Sequence, residues 1–111
     1  MTITPAALQP GVSLTNAAAS IYTTPANGQA VIRRAVFTNH DSSPHVITVH
    51  RVPSGGSVLT ANMLIDARRL TPGESYVSPE LANMVLDAGD SIQAFADANS
   101  VVNAFMSGYT L

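Results

Sequence analysis

The chain has 111 residues, a formal net charge of −2 and only 11% charged residues, against roughly a quarter in soluble domains. That length suits one domain with a single core. The slight negative charge leaves no basic field to neutralise phosphates, so no nucleic-acid partner is expected, and the absence of cysteine excludes disulfides, thiolate metal sites and a thiol nucleophile.

Residues 1–18 are punctuated by Pro5, Pro10 and Gly11, which break any helix. They read as an extended arm with few contacts to its own core, ordered mainly by a partner chain through the apolar anchors Ile3, Leu8, Val12 and Leu14. The opening MTITPAALQPG has neither a basic n-region nor a long apolar run, and no stretch reaches the ~18 apolar residues of a membrane span. Synthesis in the cytosol with no membrane partner is the expectation.

After the Ala17-Ala18-Ala19 run, Ile21, Tyr22, Thr23 and Thr24 favour a strand from about Ala19 to Thr24. Pro25-Ala26-Asn27-Gly28 is a tight turn. The stretch Gln29–Val52 then holds two runs rich in Val, Ile, Thr and Phe on either side of Asn39-His40-Asp41-Ser42-Ser43-Pro44, a hairpin or a sheet-to-sheet arch. In the second run Ile47, Val49 and Arg51 alternate with Val46, Thr48, His50 and Val52. Both sets are mostly apolar, which predicts a second sheet on one side and a loop or another subunit on the other.

Pro53-Ser54-Gly55-Gly56 turns into a polar bridge ending at Asn62. Met63–Leu70 is readable as a short helix or a strand, and the turns on both flanks favour the strand. Ser75–Val77 is a short strand, and Ser78-Pro79-Glu80-Leu81 suits the start of a single helical turn. Asp87-Ala88-Gly89-Asp90 precedes a strand over Ser91–Ala96, with Ile92, Ala94 and Ala96 on one face. Ala98-Asn99-Ser100 then reads as the closing hairpin turn before a last strand over Val101–Leu111. Seven or eight strands at roughly 10 to 12 residue spacing predict an all-β fold, an antiparallel β-sandwich over residues 19–111 with jelly-roll topology as one option.

Candidate chemistry is sparse. His40, His45 and His50 recur at intervals of five, but an odd spacing on a strand sends His45 and His50 to opposite faces. Turn or solvent-facing histidines are expected, and no metal or other cofactor. Asp87 and Asp90 flank Gly89 without the run of oxygen ligands a calcium loop needs, so they read as turn residues. There is no GxSxG elbow, and Gly55-Gly56 lacks the helix and lysine of a phosphate loop. With no tryptophan, three tyrosines and three phenylalanines, sugar stacking has little to work with.

All five basic residues are arginines (Arg33, Arg34, Arg51, Arg68 and Arg69), which suits ordered, partly desolvated contacts; a high-GC genome gives the same bias. The adjacent pairs Arg33-Arg34 and Arg68-Arg69 read as one member to each strand face, either as solvated and rim-paired residues or as intersubunit anchors.

The run from Ala19 to Val52, with PANG, AVIRRAVFTNHDSS and VITVHRVPSGG, resembles a group of small β-sandwich proteins encoded among the virion genes of tailed bacteriophages. The resemblance continues through Leu70-Thr71-Pro72-Gly73-Glu74-Ser75, Leu86–Ile92 and Ser107-Gly108-Tyr109. It implies a non-enzymatic structural part of a virus particle, foremost a capsid decoration or cement protein bridging major capsid subunits. A homo-oligomer is implied, with a trimer favoured because capsids offer threefold sites. A tail, baseplate, collar or fibre-adaptor module is the second expectation, and a host-surface glycan-binding module the third.

Overall fold

A computed structural model describes residues 3–111. Among the described residues there are nine strands, most of them where β-branched and aromatic residues cluster: β1 (Thr4–Ser13), β2 (Ala19–Thr23), β3 (Ala30–Asn39), β4 (His45–Val52), β5 (Met63–Leu70), β6 (Ser75–Val77), β7 (Met84–Leu86), β8 (Ser91–Ala96) and β9 (Val102–Thr110). The first sheet runs β1-β9-β3-β6, with β7 also paired to β3, and the second runs β2-β8-β4-β5. All pairings are antiparallel. The strands β6 and β7 pair with opposite ends of β3 and act as one edge strand interrupted at 78–83. The excursion contains no helix among the described residues; it is a series of turns pinned by Leu81, which is fully buried.

The chain changes sheet at most of its turns. Residues 40–44 form an arch, carrying the chain from β3 in the first sheet to β4 in the second. Asn39, wholly buried, holds that arch by donating from Nδ2 to the Ser43 and Leu70 carbonyls while its Oδ1 accepts from the Asp41 amide. The Ala98-Asn99-Ser100 turn is also a crossing, since β8 and β9 lie in different sheets, which corrects the expected hairpin.

Between the layers lie Ile32, Ala35 and Phe37 of β3, Ile47 and Val49 of β4, Ile92 and Ala94 of β8, and Val102, Ala104 and Met106 of β9. Each large side chain among them contributes about 1.5–3 kcal/mol by leaving water.

The N-terminal segment belongs to the sandwich. Thr4–Ser13 pairs with β9 from Thr4 opposite Thr110 to Ser13 opposite Asn103, and Leu8 and Leu14 enter the core. This corrects the expected arm over residues 1–18 and moves the start of the sandwich from residue 19 to Thr4. Proline misleads here because an edge strand has amides that need no ladder partner; Pro5 and Pro10 occupy such an edge, with register shifts on either side of Gln9. Residues 1 and 2 of the expected arm lie outside the described residues.

A candidate interaction face on the first sheet

The two outer faces differ in cover. On the second sheet, Thr48, His50 and Val52 alternate with the core residues Ile47 and Val49 yet are buried; Thr48 Oγ1 accepts from the Ala67 amide, and the connection Pro53–Asn62, ending in a 3-10 turn at Thr60–Asn62, folds back onto His50. His50 Nδ1 lies 3.1 Å from the Leu59 carbonyl and 2.9 Å from Asn62 Oδ1. Asn62 Oδ1 also accepts from the Leu59 amide while its Nδ2 donates to Ser57, so Nδ1 of His50 faces two acceptors and carries the ring proton. The ring stacks on Phe95 at 6.5 Å. A solvent-facing role for His50 is thereby corrected.

Among the described residues, the first sheet leaves large apolar side chains exposed on its outer face. Pairing places Phe105 of β9 opposite Val36 of β3, and Val36 opposite Val77 of β6. A second apolar row runs Pro5, Tyr109, Val31, Val85 across β1, β9, β3 and β7. Phe105, Val77 and Val85 are 45%, 48% and 50% exposed. Isolated exposed apolar residues are ordinary, but two aligned rows on one face make it the candidate contact surface.

Between the rows stand Arg33 and Arg34. The β3–β9 register shifts between Ile32 and Arg34, a bulge that lets both neighbouring side chains escape to one face. Both are exposed, while Ile32 and Ala35 on either side are fully buried. The expected division of this pair between faces is thus corrected. Arg33 donates to Asn83 Oδ1 at 3.0 Å, and among the described residues neither guanidinium meets a carboxylate. Two surface depressions adjoin them, one of about 530 Å³ lined by Pro5, Ala7, Arg33 and Tyr109, the other of about 390 Å³ lined by Ala7, Arg34, Val36 and Phe105.

The other anticipated contact residues scatter. Ile3 is exposed at 62%, Leu8 and Leu14 are spent on the core, and Val12 packs half-buried against it. Arg68 lies 3.8 Å over the Tyr76 ring, whose hydroxyl donates to Glu80 Oε1 at 2.6 Å; the cation clamps the edges of the two sheets together. Burial raises the pKa of Tyr76, and the Glu80 hydrogen bond adds to it. Arg69, opposite Val46, is exposed on the second sheet. Sequence reading did not single out Phe105, Val77, Val85 or Tyr109. The alternation along β9 places Phe105 opposite Ala104, but only strand register shows which residues lie beside it.

The titratable groups form structural clusters. At the arch, His45 Nε2 is 2.7 Å from Asp41 Oδ2 and its Nδ1 2.7 Å from Asp97 Oδ1, which joins the turn before β4 to the turn after β8. The Asp41 hydrogen bond first, and that of Asp97 second, raise the His45 pKa; the His45 bond lowers that of Asp41. The carboxylates sit at opposite ends of the ring, so they do not converge on one point, and among the described residues no group of three such side chains is placed to hold a metal ion. Asp90 is buried, receiving Arg51 at 2.8 Å and the amides of Asp87 and Ser54 at 3.0 Å.

The geometry defines a two-layer antiparallel β-sandwich whose first sheet has an exposed apolar outer face. No family model matches the chain, and no curated protein does. Among solved structures it is similar to a chain of the crystal structure of the T13 IBDV viral particle, with a TM-score of 0.51 and 14% identity. It is also similar to a chain of infectious bursal disease virus, Gt strain, with a TM-score of 0.50 and 8% identity. Each alignment covers 98% of this chain and 30% of the other, so this chain spans about a third of the length of those it matches. At such identities the likeness is one of fold.

Proposed function

We propose that this protein is a non-enzymatic structural component of a virus particle, most specifically a decoration or cement protein of a tailed-phage head that packs on major capsid subunits. The observation that carries the reading is the outer face of the first sheet, where two aligned apolar rows enclose two arginines that meet no carboxylate among the described residues. Two further features support it. The strand order β1-β9-β3-β6 over β2-β8-β4-β5 supports reading the sandwich as a jelly roll, an architecture found among viral capsid and lectin domains. The fold is also similar to chains of a virus particle.

A rigid sandwich suits cementing because added buried area between neighbouring subunits opposes their separation. Self-association around a threefold site is part of the same proposal. The test is made on particles: purify virions, quantify this chain per particle and compare the heat release of DNA from heads with and without it. Hundreds of copies together with earlier DNA release on removal are expected. About a dozen copies would move the protein to the tail, and absence from purified particles would overturn the virion reading.

A further inference from the structure

Along β9 the outward side chains are Phe105, Ser107 and Tyr109, large, small and large. Ser107 lies opposite Arg34, Ala7 borders both depressions, and the result is a hollow between two aromatic rings with guanidinium groups on one flank. Successive outward residues of a strand are ~7 Å apart, so the backbone positions of Phe105 and Tyr109 are ~14 Å apart along β9. An extended peptide repeats its own side chains on one face at the same interval.

A second copy of this face is a poor occupant. A twofold contact repeats the same patch on both sides, so two faces of equal positive charge would be brought together, and like charges at an interface are repelled. With no carboxylate of this chain on them among the described residues, the guanidiniums call for an anion, and a carboxylate matches their fork geometry.

We infer that the hollow binds an extended segment of another protein carrying a carboxylate midway between two apolar side chains at alternate positions, the carboxylate on Arg33 and Arg34 and the apolar groups on Phe105 and Tyr109. This rests on reading the first sheet's outer face as an interface, and names its partner's chemistry.

The test uses the whole chain labelled with nitrogen-15 and the probe peptide acetyl-Val-Thr-Glu-Thr-Val-amide, with the Glu-to-Gln peptide as control. Addition at millimolar concentration is expected to shift the amides of residues 105–109 and 31–36, with affinity falling as salt rises. Binding should weaken about tenfold for the Gln peptide and for the Arg33→Gln/Arg34→Gln double variant, whose undisturbed spectrum shows that it folds. Equal binding of both peptides, shifts mapping elsewhere, or no shifts would overturn the inference. So would sedimentation showing that free copies pair through this face. Particles that contain the protein while the peptide fails to bind would sink this inference and leave the virion role standing; peptide binding by a protein absent from particles would do the reverse.

Discussion

Replacing Asp90 by alanine should remove about 3 kcal/mol of folding stability, although the residue lies in a turn. Its side chain is 8% exposed and accepts three hydrogen bonds, from Arg51 Nη2 and from the amides of Asp87 and Ser54. Together they tie the β7–β8 turn to the end of β4 and to the connection that covers the second sheet. Breaking a buried ion pair from one side costs about 3–5 kcal/mol. Arg51 is 29% exposed and keeps its bond to the Val85 carbonyl, so water recovers part of its charge and the lower end applies. The two released amides belong to Asp87 and Ser54, both exposed residues, so water replaces those bonds and they add little to this figure.

A domain of this size has about 5–15 kcal/mol in total, and 3 kcal/mol lowers Tm by roughly 10–20 °C. Urea unfolding followed by far-ultraviolet circular dichroism reads the loss directly, and Asp90→Asn, which keeps oxygen and shape, should lose about half as much. Midpoints for Asp90→Ala within about 0.5 kcal/mol of the parent, the range of neutral surface changes, would show that the carboxylate does not hold these elements together.

Leu14→Ala should destabilise by about 2–5 kcal/mol because Leu14 is 2% exposed within the core; an unchanged unfolding midpoint would restore the view of a detachable arm. Gly108→Ala should prevent normal pairing of β9 with β3, since a Cβ there would clash with the Val31 carbonyl oxygen, and a native-like amide spectrum from this variant would refute the close approach. The arch should be pH-sensitive with a definite sign. The folded His45 pKa is raised, so its contribution is complete below its ordinary value of about 6.5 and is lost as pH rises through the folded value. The folded Asp41 pKa is lowered, so its contribution is present above about 3.9 and is lost as pH falls through the folded value. Thermal melts across pH 5–9 (roughly the range bracketing the imidazole) should show a falling Tm that flattens in His45→Gln; identical profiles would mean that the imidazole is not held by these carboxylates.

The class of fold and most strand positions were legible in residue chemistry. Alternation along Ser91–Ala96 put Ile92, Ala94 and Ala96 on the core face where the structure has them, and Val46, Thr48, His50 and Val52 were recognisable as a face needing cover. Where the turns led was not legible. Asn39–Pro44 and Ala98–Ser100 carry the same residue types whether they close a hairpin or cross between sheets, and the choice depends on long-range bonds such as Asn39 to the Leu70 carbonyl. Pro5 and Pro10 likewise looked like breaks because their own sequence cannot say that β9 lies on only one side of them.

The candidate face depended most on tertiary structure. Arg33 and Arg34 were visible as a pair, but strict alternation separates them, and only the bulge against β9 turns both outward. The apolar rows join residues from five strands distant along the chain, so their alignment is a property of register. Local chemistry thus settled which segments extend and which side chains prefer the interior, because those preferences act within a few residues. Which strands became neighbours, which outer face stayed bare and which charges lacked partners were settled by packing, because each depends on the remainder of the chain finding its place.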